Sequence, residues 1–130
     1  MIFTALTCDD AIEAGIIDEH NVTPLLFFFM RAWENEKIKK WICHGKKDRI
    51  NEKSLLILIG WLYDNETIFR ADCYCKSIAD FLVRMDVFPN IRKSKTIRTY
   101  FGYGMPNEVQ REAHSIISDI FEKIHRKMPK

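Results

Sequence analysis

The sequence lacks the features of a secreted or membrane-spanning chain. Its first residues, MIFTALTCDD, have no basic segment ahead of an apolar run, so no signal peptide is expected. Apolar runs such as Pro24 to Met30 are much shorter than the roughly 20 residues that span a bilayer. We therefore expect a cytoplasmic protein with no membrane partner, in which the four cysteines are reduced.

The sequence also lacks the short motifs of the common catalytic sites. It contains no phosphate-binding loop, no nucleophile elbow and no HExxH. His114 and His125 fall near the edge of an apolar helix face, and only Glu122 lies close enough in sequence to orient one of them. We therefore predict that the protein is not an enzyme, has no catalytic residue and needs no cofactor.

The spacing of cysteine and histidine does not favour a metal site. One residue separates Cys73 from Cys75, and Cys43 is adjacent to His44. Zinc sites generally draw their ligands from pairs spaced as CxxC or HxxxH. Buried, reduced cysteines explain these residues more simply than a bound metal does.

Length and charge predict one domain with two electrostatically different parts. The chain has 130 residues, of which 47% are apolar and 29% are charged, which excludes a disordered protein. Residues 1–30 contain five acidic residues and no Lys or Arg, so all 20 basic residues follow them. We expect a single domain, 1–130, with an acidic N-terminal helical part over 1–50 and a helix-turn-helix-like part over 51–130.

Hydrophobic periodicity predicts a mainly α fold, a compact bundle of five or six helices. In the first part, a capping box at Thr7 opens a short helix through Ile17, and residues 18–21 interrupt the chain. Thr23 and Pro24 then start a helix that runs to Gly45. Residues 25–30 (LLFFFM) are apolar on all sides, which indicates either the middle of the core or, in part, an exposed patch for a partner.

The second part is predicted to contain four helices. Asn51 and Ser54 cap a helix over LLILIGWLY, for which a buried strand is the alternative, and Gly60 permits close approach of another helix. Residues 67–74 form a short strand or an irregular arm. A last helix begins at Met105–Asn107, and its apolar stripe is unbroken: Val109, Ala113, Ile116, Ile117, Ile120, Ile124 and Met128.

Between the arm and the last helix, residues 76–101 have the pattern of a helix-turn-helix or winged-helix-like unit. The first helix places Ile78, Phe81, Leu82 and Met85 on one face. After a tight turn, a second helix begins at the N-cap Ser94 and buries Ile97 and Phe101. A short buried helix followed by one with a basic, hydroxyl-rich outer face is typical of units that place a helix in a DNA groove.

The candidate nucleic-acid-binding residues lie in and just before this second helix. They are Arg92, Lys93, Ser94, Lys95, Thr96, Arg98 and Thr99. No Asp or Glu occurs between Phe88 and Met105, and phosphate contacts need cations beside hydroxyl or amide groups. Arg98, pointing away from the core, is expected to reach a guanine edge. Gly102-Tyr103-Gly104 is expected to be a helix C-cap and turn, with a wing as the alternative.

The order of LLILIGWLYDNETI, KSIADFLVRMDVF, IRKSKTIRTYFGYG and IFEKIHRKM, within residues 52–128, resembles the C-terminal part of RteC-type regulators. These proteins are carried by conjugative transposons of Bacteroides. The resemblance implies a helical protein with winged-helix-like DNA-binding units that controls genes for excision of the element. It also implies that Ser94, Lys95, Thr96, Arg98 and Thr99 are the recognition-helix residues.

Two functions are consistent with these observations. The first is a DNA-binding regulatory module of a bacterial mobile element, which contacts duplex DNA through the helix that starts at Ser94. The alternative is a protein–protein interaction module, such as an immunity, antitoxin or inhibitor protein. Its partner would bind the acidic N-terminal part and the apolar turn from Leu25 to Met30.

Overall fold

The computed structural model describes residues 2–43, 51–65, 68–88 and 90–127, and it confirms the mainly α fold. These residues form eight α-helices, more than the five or six expected: α1 (Ile2–Thr7), α2 (Asp9–Glu13), α3 (Glu19–Glu34), α4 (Glu36–Ile42), α5 (Glu52–Asn65), α6 (Cys75–Arg84), α7 (Ser94–Phe101) and α8 (Asn107–Lys127). Within the described ranges, no helix is long and apolar enough to cross a membrane.

Helix α3 is packed against α1, α4 and α8, and α8 also packs on α4. The predicted stripe of α8 is confirmed for Val109, Ala113, Ile116, Ile117 and Ile120, all of which are buried. The side chains of Ile124 and Met128 lie outside the described part of the chain.

The predicted start of α3 at Thr23 is wrong, because the helix begins four residues earlier at Glu19 and contains Pro24 in its second turn. The predicted break over residues 18–21 is therefore wrong as well. Two interactions stabilise the earlier start. The Glu19 carboxylate lies at the positive end of the helix dipole, and Asn21 Nδ2 donates a hydrogen bond to the carbonyl oxygen of Ile68 (2.9 Å).

The predicted continuous helix to Gly45 is also wrong, because Asn35 separates α3 from α4 with an extended backbone (φ −73°, ψ 124°). Its side-chain Oδ1 accepts a hydrogen bond from the Ile38 N–H (3.0 Å), which caps α4. Its Nδ2 donates to Glu112 of α8 (3.0 Å), so the break is anchored by the last helix. Gly45 lies outside the described residues.

The N-terminal segment contains two short helices where the sequence predicted one. Cys8 occupies the N-cap position of α2, instead of Thr7. Gly15 (φ 77°) follows that helix and turns the chain so that Ile17 forms an isolated antiparallel bridge with Phe69. Of the two alternatives for residues 67–74, the described part is thus an irregular arm with a single bridge.

In the second part of the chain, α7 packs against both α5 and α6. Helix α5 is confirmed, and Asn51 Oδ1 accepts a hydrogen bond from the Ser54 N–H (3.1 Å), as the predicted cap requires. The close approach at Gly60 is confirmed too. A Cβ added there would lie 2.7 Å from the Cα of Phe101 on α7.

The apolar residues 25–30 are divided between the core and the surface. Leu25, Phe28 and Phe29 are buried, whereas Leu26, Phe27 and Met30 are exposed. One face of α3 is therefore part of the core and the other is exposed, whereas the binding of a partner by the exposed residues stays a prediction.

Candidate nucleic-acid interface

Helix α7 is held on the protein by two apolar side chains. Ile97 and Phe101 are buried against α5 and α6, and the helix ends at Gly102, which is the predicted C-cap. With Ile97 and Phe101 four residues apart, the opposite face of α7 points to solvent. The packing of α7 therefore sets which of its polar residues a ligand can reach.

The structure exposes most of the residues that the sequence identified. The side chains of Arg92, Lys93, Lys95, Arg98 and Thr99 are exposed, and Thr96 is half-buried. Ser94 differs, because its Oγ is buried and has no hydrogen-bond partner among the described residues. The predicted N-cap role of Ser94 is wrong, since Lys93 occupies that position and no side chain caps α7.

Exposed cations lie on α7 and just before it. Within the described residues, no ion pair joins Lys93, Lys95 or Arg98 to an Asp or Glu. Helix α5 adds a further cation, because Lys53 Nζ lies 5.6 Å from the ring centroid of Tyr100 on α7. We call Lys53, Arg92, Lys93, Lys95 and Arg98 the basic face.

Lys53 is the member of the basic face that the sequence did not identify. It lies two helical turns before Gly60 and so on the same side of α5, the side that contacts α7. Gly60 could have indicated this side of α5 from the sequence, because it predicted a close helix–helix contact. It did not specify that the partner helix is α7. One acidic residue lies nearby, since Glu52 accepts a hydrogen bond from Asn90 (3.5 Å).

Hydroxyl and aromatic groups accompany the basic face. Thr99 Oγ1 donates a hydrogen bond to the carbonyl oxygen of Lys95 (3.0 Å), one turn earlier. The rings of Tyr100 and Tyr103 meet edge to face at 5.4 Å, and 53% of Tyr103 is exposed. An exposed tyrosine beside cations offers a hydroxyl to a phosphate and a ring to a base.

The connection between α6 and α7 is not the tight turn that the sequence predicted. It contains nine residues, 85–93, whereas helix-turn-helix units usually use three or four. Asp86 adopts a left-handed conformation (φ 52°) at its beginning. Among the described residues, the segment between α7 and α8 contains no strand that would form a wing.

Cys73, in the arm, and Cys75, at the start of α6, lie in surroundings that disfavour ionisation of their thiols. Cys73 is buried, and the Tyr63 hydroxyl donates a hydrogen bond to its carbonyl oxygen (2.8 Å). Burial raises the pKa of the Cys73 thiol to about 11, so at neutral pH it is protonated and not an activated nucleophile. Burial also raises the pKa of Cys75. In the described part of the chain, no group of three or more His, Cys, Asp or Glu residues is arranged to hold a metal ion.

A surface cavity of about 500 Å³ lies beside Cys73, at the start of α3 and the end of α5. Arg70, in the lining of this cavity, pairs with two carboxylates. Arg70 donates two hydrogen bonds of 3.0 Å to Asp72, and its Nε lies 3.7 Å from Asp18 Oδ1. The Arg70 guanidinium lowers the pKa of the Asp72 carboxyl, which stays ionised. These contacts stabilise the arm against the start of α3. That the protein is not an enzyme remains a prediction.

Comparison with models of known families, with curated proteins and with solved structures found no match. The similarity of residues 52–128 to RteC-type regulators therefore stays a prediction that rests on the sequence pattern.

Proposed function

We propose that this protein is a DNA-binding regulatory module that contacts duplex DNA through the outer face of α7. One observation carries the proposal. Lys93, at the N-cap of α7, and Lys95 and Arg98, within this short helix, are all exposed, and no described carboxylate pairs with them. Unpaired cations on one surface are what a polyphosphate backbone binds, because each contact releases condensed counterions. The regulatory role in a mobile element is the part of the proposal that rests on the resemblance.

The geometry of α7 supports entry into the major groove. An α-helix with its side chains is about 10–12 Å across, and the groove is about 12 Å wide. The apolar side of α7 remains on α5 and α6, so only the outer side, with Lys95 and Arg98 one turn apart, faces the bases. Arg98 then donates to a guanine edge, which is the commonest specific contact in this groove.

The remaining cations contact the backbone on either side of the groove. Arg92 and Lys93 precede the first turn of α7, where the positive end of the helix dipole adds to their charge. Lys53 reaches the same surface from α5. Ser94 contributes no phosphate contact in this arrangement, because its hydroxyl is buried.

Fluorescence anisotropy with a labelled duplex tests the proposal. Replacing both Lys95 and Arg98 with Ala should weaken binding by roughly tenfold to several hundredfold, because a phosphate contact and a base contact are lost. The slope of log K against log salt should also become shallower by about one for each phosphate contact removed.

The matched control removes two positive charges from a different surface. Arg111 and Lys123 are exposed on α8, so replacing both with Ala changes the net charge equally and leaves α7 intact. We expect this control to bind DNA within a few-fold of the parent. Equal affinity of the Lys95 and Arg98 double variant and the parent, with both folded by circular dichroism, would exclude α7 as the DNA-binding element.

A further inference from the structure

The outer face of α3 carries an apolar stripe that no described part of the protein covers. At about 100° per residue, Leu26, Phe27 and Met30 fall on the side opposite the buried Leu25 and Phe28. These three side chains, which we call the apolar stripe, are exposed by 40%, 48% and 52%. Adjacent large apolar side chains at the surface mark interaction sites more often than isolated ones do.

Both ends of the apolar stripe are acidic. Glu19 and Glu34, at the first and last positions of α3, are exposed on the same face of the helix. Within the described residues, neither carboxylate forms an ion pair. Arg31, the basic residue in the last turn of α3, is paired with Asp119 of α8. Lys39 of α4 lies beside α3, with its Nζ 5.4 Å from the ring of Trp33. The face is therefore apolar at its centre and negative at both ends.

We propose that the apolar stripe binds an amphipathic helix of another protein that has Lys or Arg at both ends. The apolar face of that helix would cover Leu26, Phe27 and Met30, and its terminal cations would meet Glu19 and Glu34. Docking of an amphipathic helix through residues at i, i+3, i+4 and i+7 is a common recognition mode, and opposite charges at its ends set its position.

The same charges disfavour the other candidate occupants. In a second copy of this chain, antiparallel pairing of α3 would place Glu19 beside Glu34, and parallel pairing would place each carboxylate beside its equivalent. Either arrangement juxtaposes like charges. An anionic membrane surface and a DNA backbone are repelled for the same reason. The site is independent of the basic face, which lies on α5, α7 and the segment before α7.

A pair of synthetic helical peptides as long as α3 (16 residues) tests the proposal. Both have Leu at i, i+3, i+4 and i+7. One has two Lys at each end and the other has two Glu. Isothermal titration calorimetry should show the Lys-ended peptide binding at least about tenfold more tightly than the Glu-ended peptide. Phe27→Ser should weaken binding of the Lys-ended peptide about tenfold, because an apolar contact at the centre of the stripe is lost. About half of the Phe27 side chain is exposed, so we expect the variant to fold.

Two further variants distinguish binding at the apolar stripe from nonspecific hydrophobic binding. Tyr103→Ser removes a side chain of similar exposure (53%) from the turn after α7 and should leave peptide binding unchanged. The double variant Glu19→Lys, Glu34→Lys keeps the apolar stripe and should reverse the preference toward the Glu-ended peptide. Unaltered DNA binding by Phe27→Ser would show that the two sites are separate.

Three results would overturn the proposal. The first is equal affinity of the parent for the two peptides, or no binding of either. The second is a dimer of the parent in analytical ultracentrifugation that Phe27→Ser dissociates, since the occupant would then be a second copy. The third is binding to phosphatidylglycerol vesicles that Phe27→Ser abolishes, since the stripe would then be a lipid contact.

Discussion

Gly60→Ala is a decisive test of the packing between α5 and α7, because two effects of opposite sign compete at this position. In an unconstrained helix interior, Ala is more favourable than Gly by about 1 kcal/mol, since Gly loses more backbone entropy on folding. Gly60 lies in the interior of α5, so helix propensity alone predicts a more stable variant.

The structure predicts the opposite outcome. An added Cβ would lie 2.7 Å from the Cα and 2.9 Å from the carbonyl carbon of Phe101, whereas carbon atoms normally approach to about 3.5–4.0 Å. The two helix backbones would have to separate by roughly 1 Å, and the side chains buried between them would lose contact. Overpacking costs about 1–3 kcal/mol, and a contact between two backbones falls at the upper end, about 2–3 kcal/mol. After subtraction of the gain of about 1 kcal/mol in helix propensity, we expect a net loss of about 1–2 kcal/mol.

Urea unfolding followed by circular dichroism measures this difference. Gly104→Ala is the matched control, because a Cβ at Gly104 meets nothing within 4 Å and the substitution should be neutral or slightly stabilising. DNA binding measured on the same samples should fall for Gly60→Ala as α7 moves. If Gly60→Ala were more stable than the parent by about 1 kcal/mol, the close contact of α5 with α7 would be refuted.

Two other sites allow similar measurements. The buried Cys73 thiol has a pKa of about 11, raised from 9.0, so its contribution to stability is complete below pH 9 and is lost as the pH rises toward 11. The difference in unfolding free energy between the parent and Cys73→Ala should therefore shrink by up to about 2 kcal/mol over that pH range. A difference that stays constant with pH would refute the raised pKa of the Cys73 thiol. Asn35→Ala removes the cap on Ile38 and the hydrogen bond to Glu112, and should destabilise the protein by about 1–2 kcal/mol in urea unfolding. Asn35→Ser retains a capping hydroxyl and should recover part of this loss, whereas equal values for the two would show that the cap contributes nothing.

Local pattern was sufficient for the helices that have one apolar face. The predictions for α6, α7 and α8 are confirmed nearly to the residue, because each places its apolar residues three and four positions apart. The predicted exposure of Lys95, Arg98 and Thr99 follows from the same periodicity. A helix with a single apolar side can be oriented from sequence alone, since only one rotation buries that side.

Pattern failed where the apolar residues surround a helix or where a distant residue sets a boundary. Residues 25–30 look equivalent in sequence, and only the positions of α1, α4 and α8 decide that Phe28 is buried and Phe27 exposed. The break at Asn35 depends on Glu112, 77 residues away, as well as on its own capping tendency.

The sequence by itself determined that the protein is mainly α-helical, that its first thirty residues are acidic, and that one short helix has cations on its outer side. Only the tertiary structure placed Lys53 beside that helix, buried the Ser94 hydroxyl and exposed the apolar stripe of α3. The physical reason is the sequence separation of the residues that interact. Helix formation depends on neighbours within one or two turns, whereas the covering of a surface depends on contacts between residues far apart in the chain.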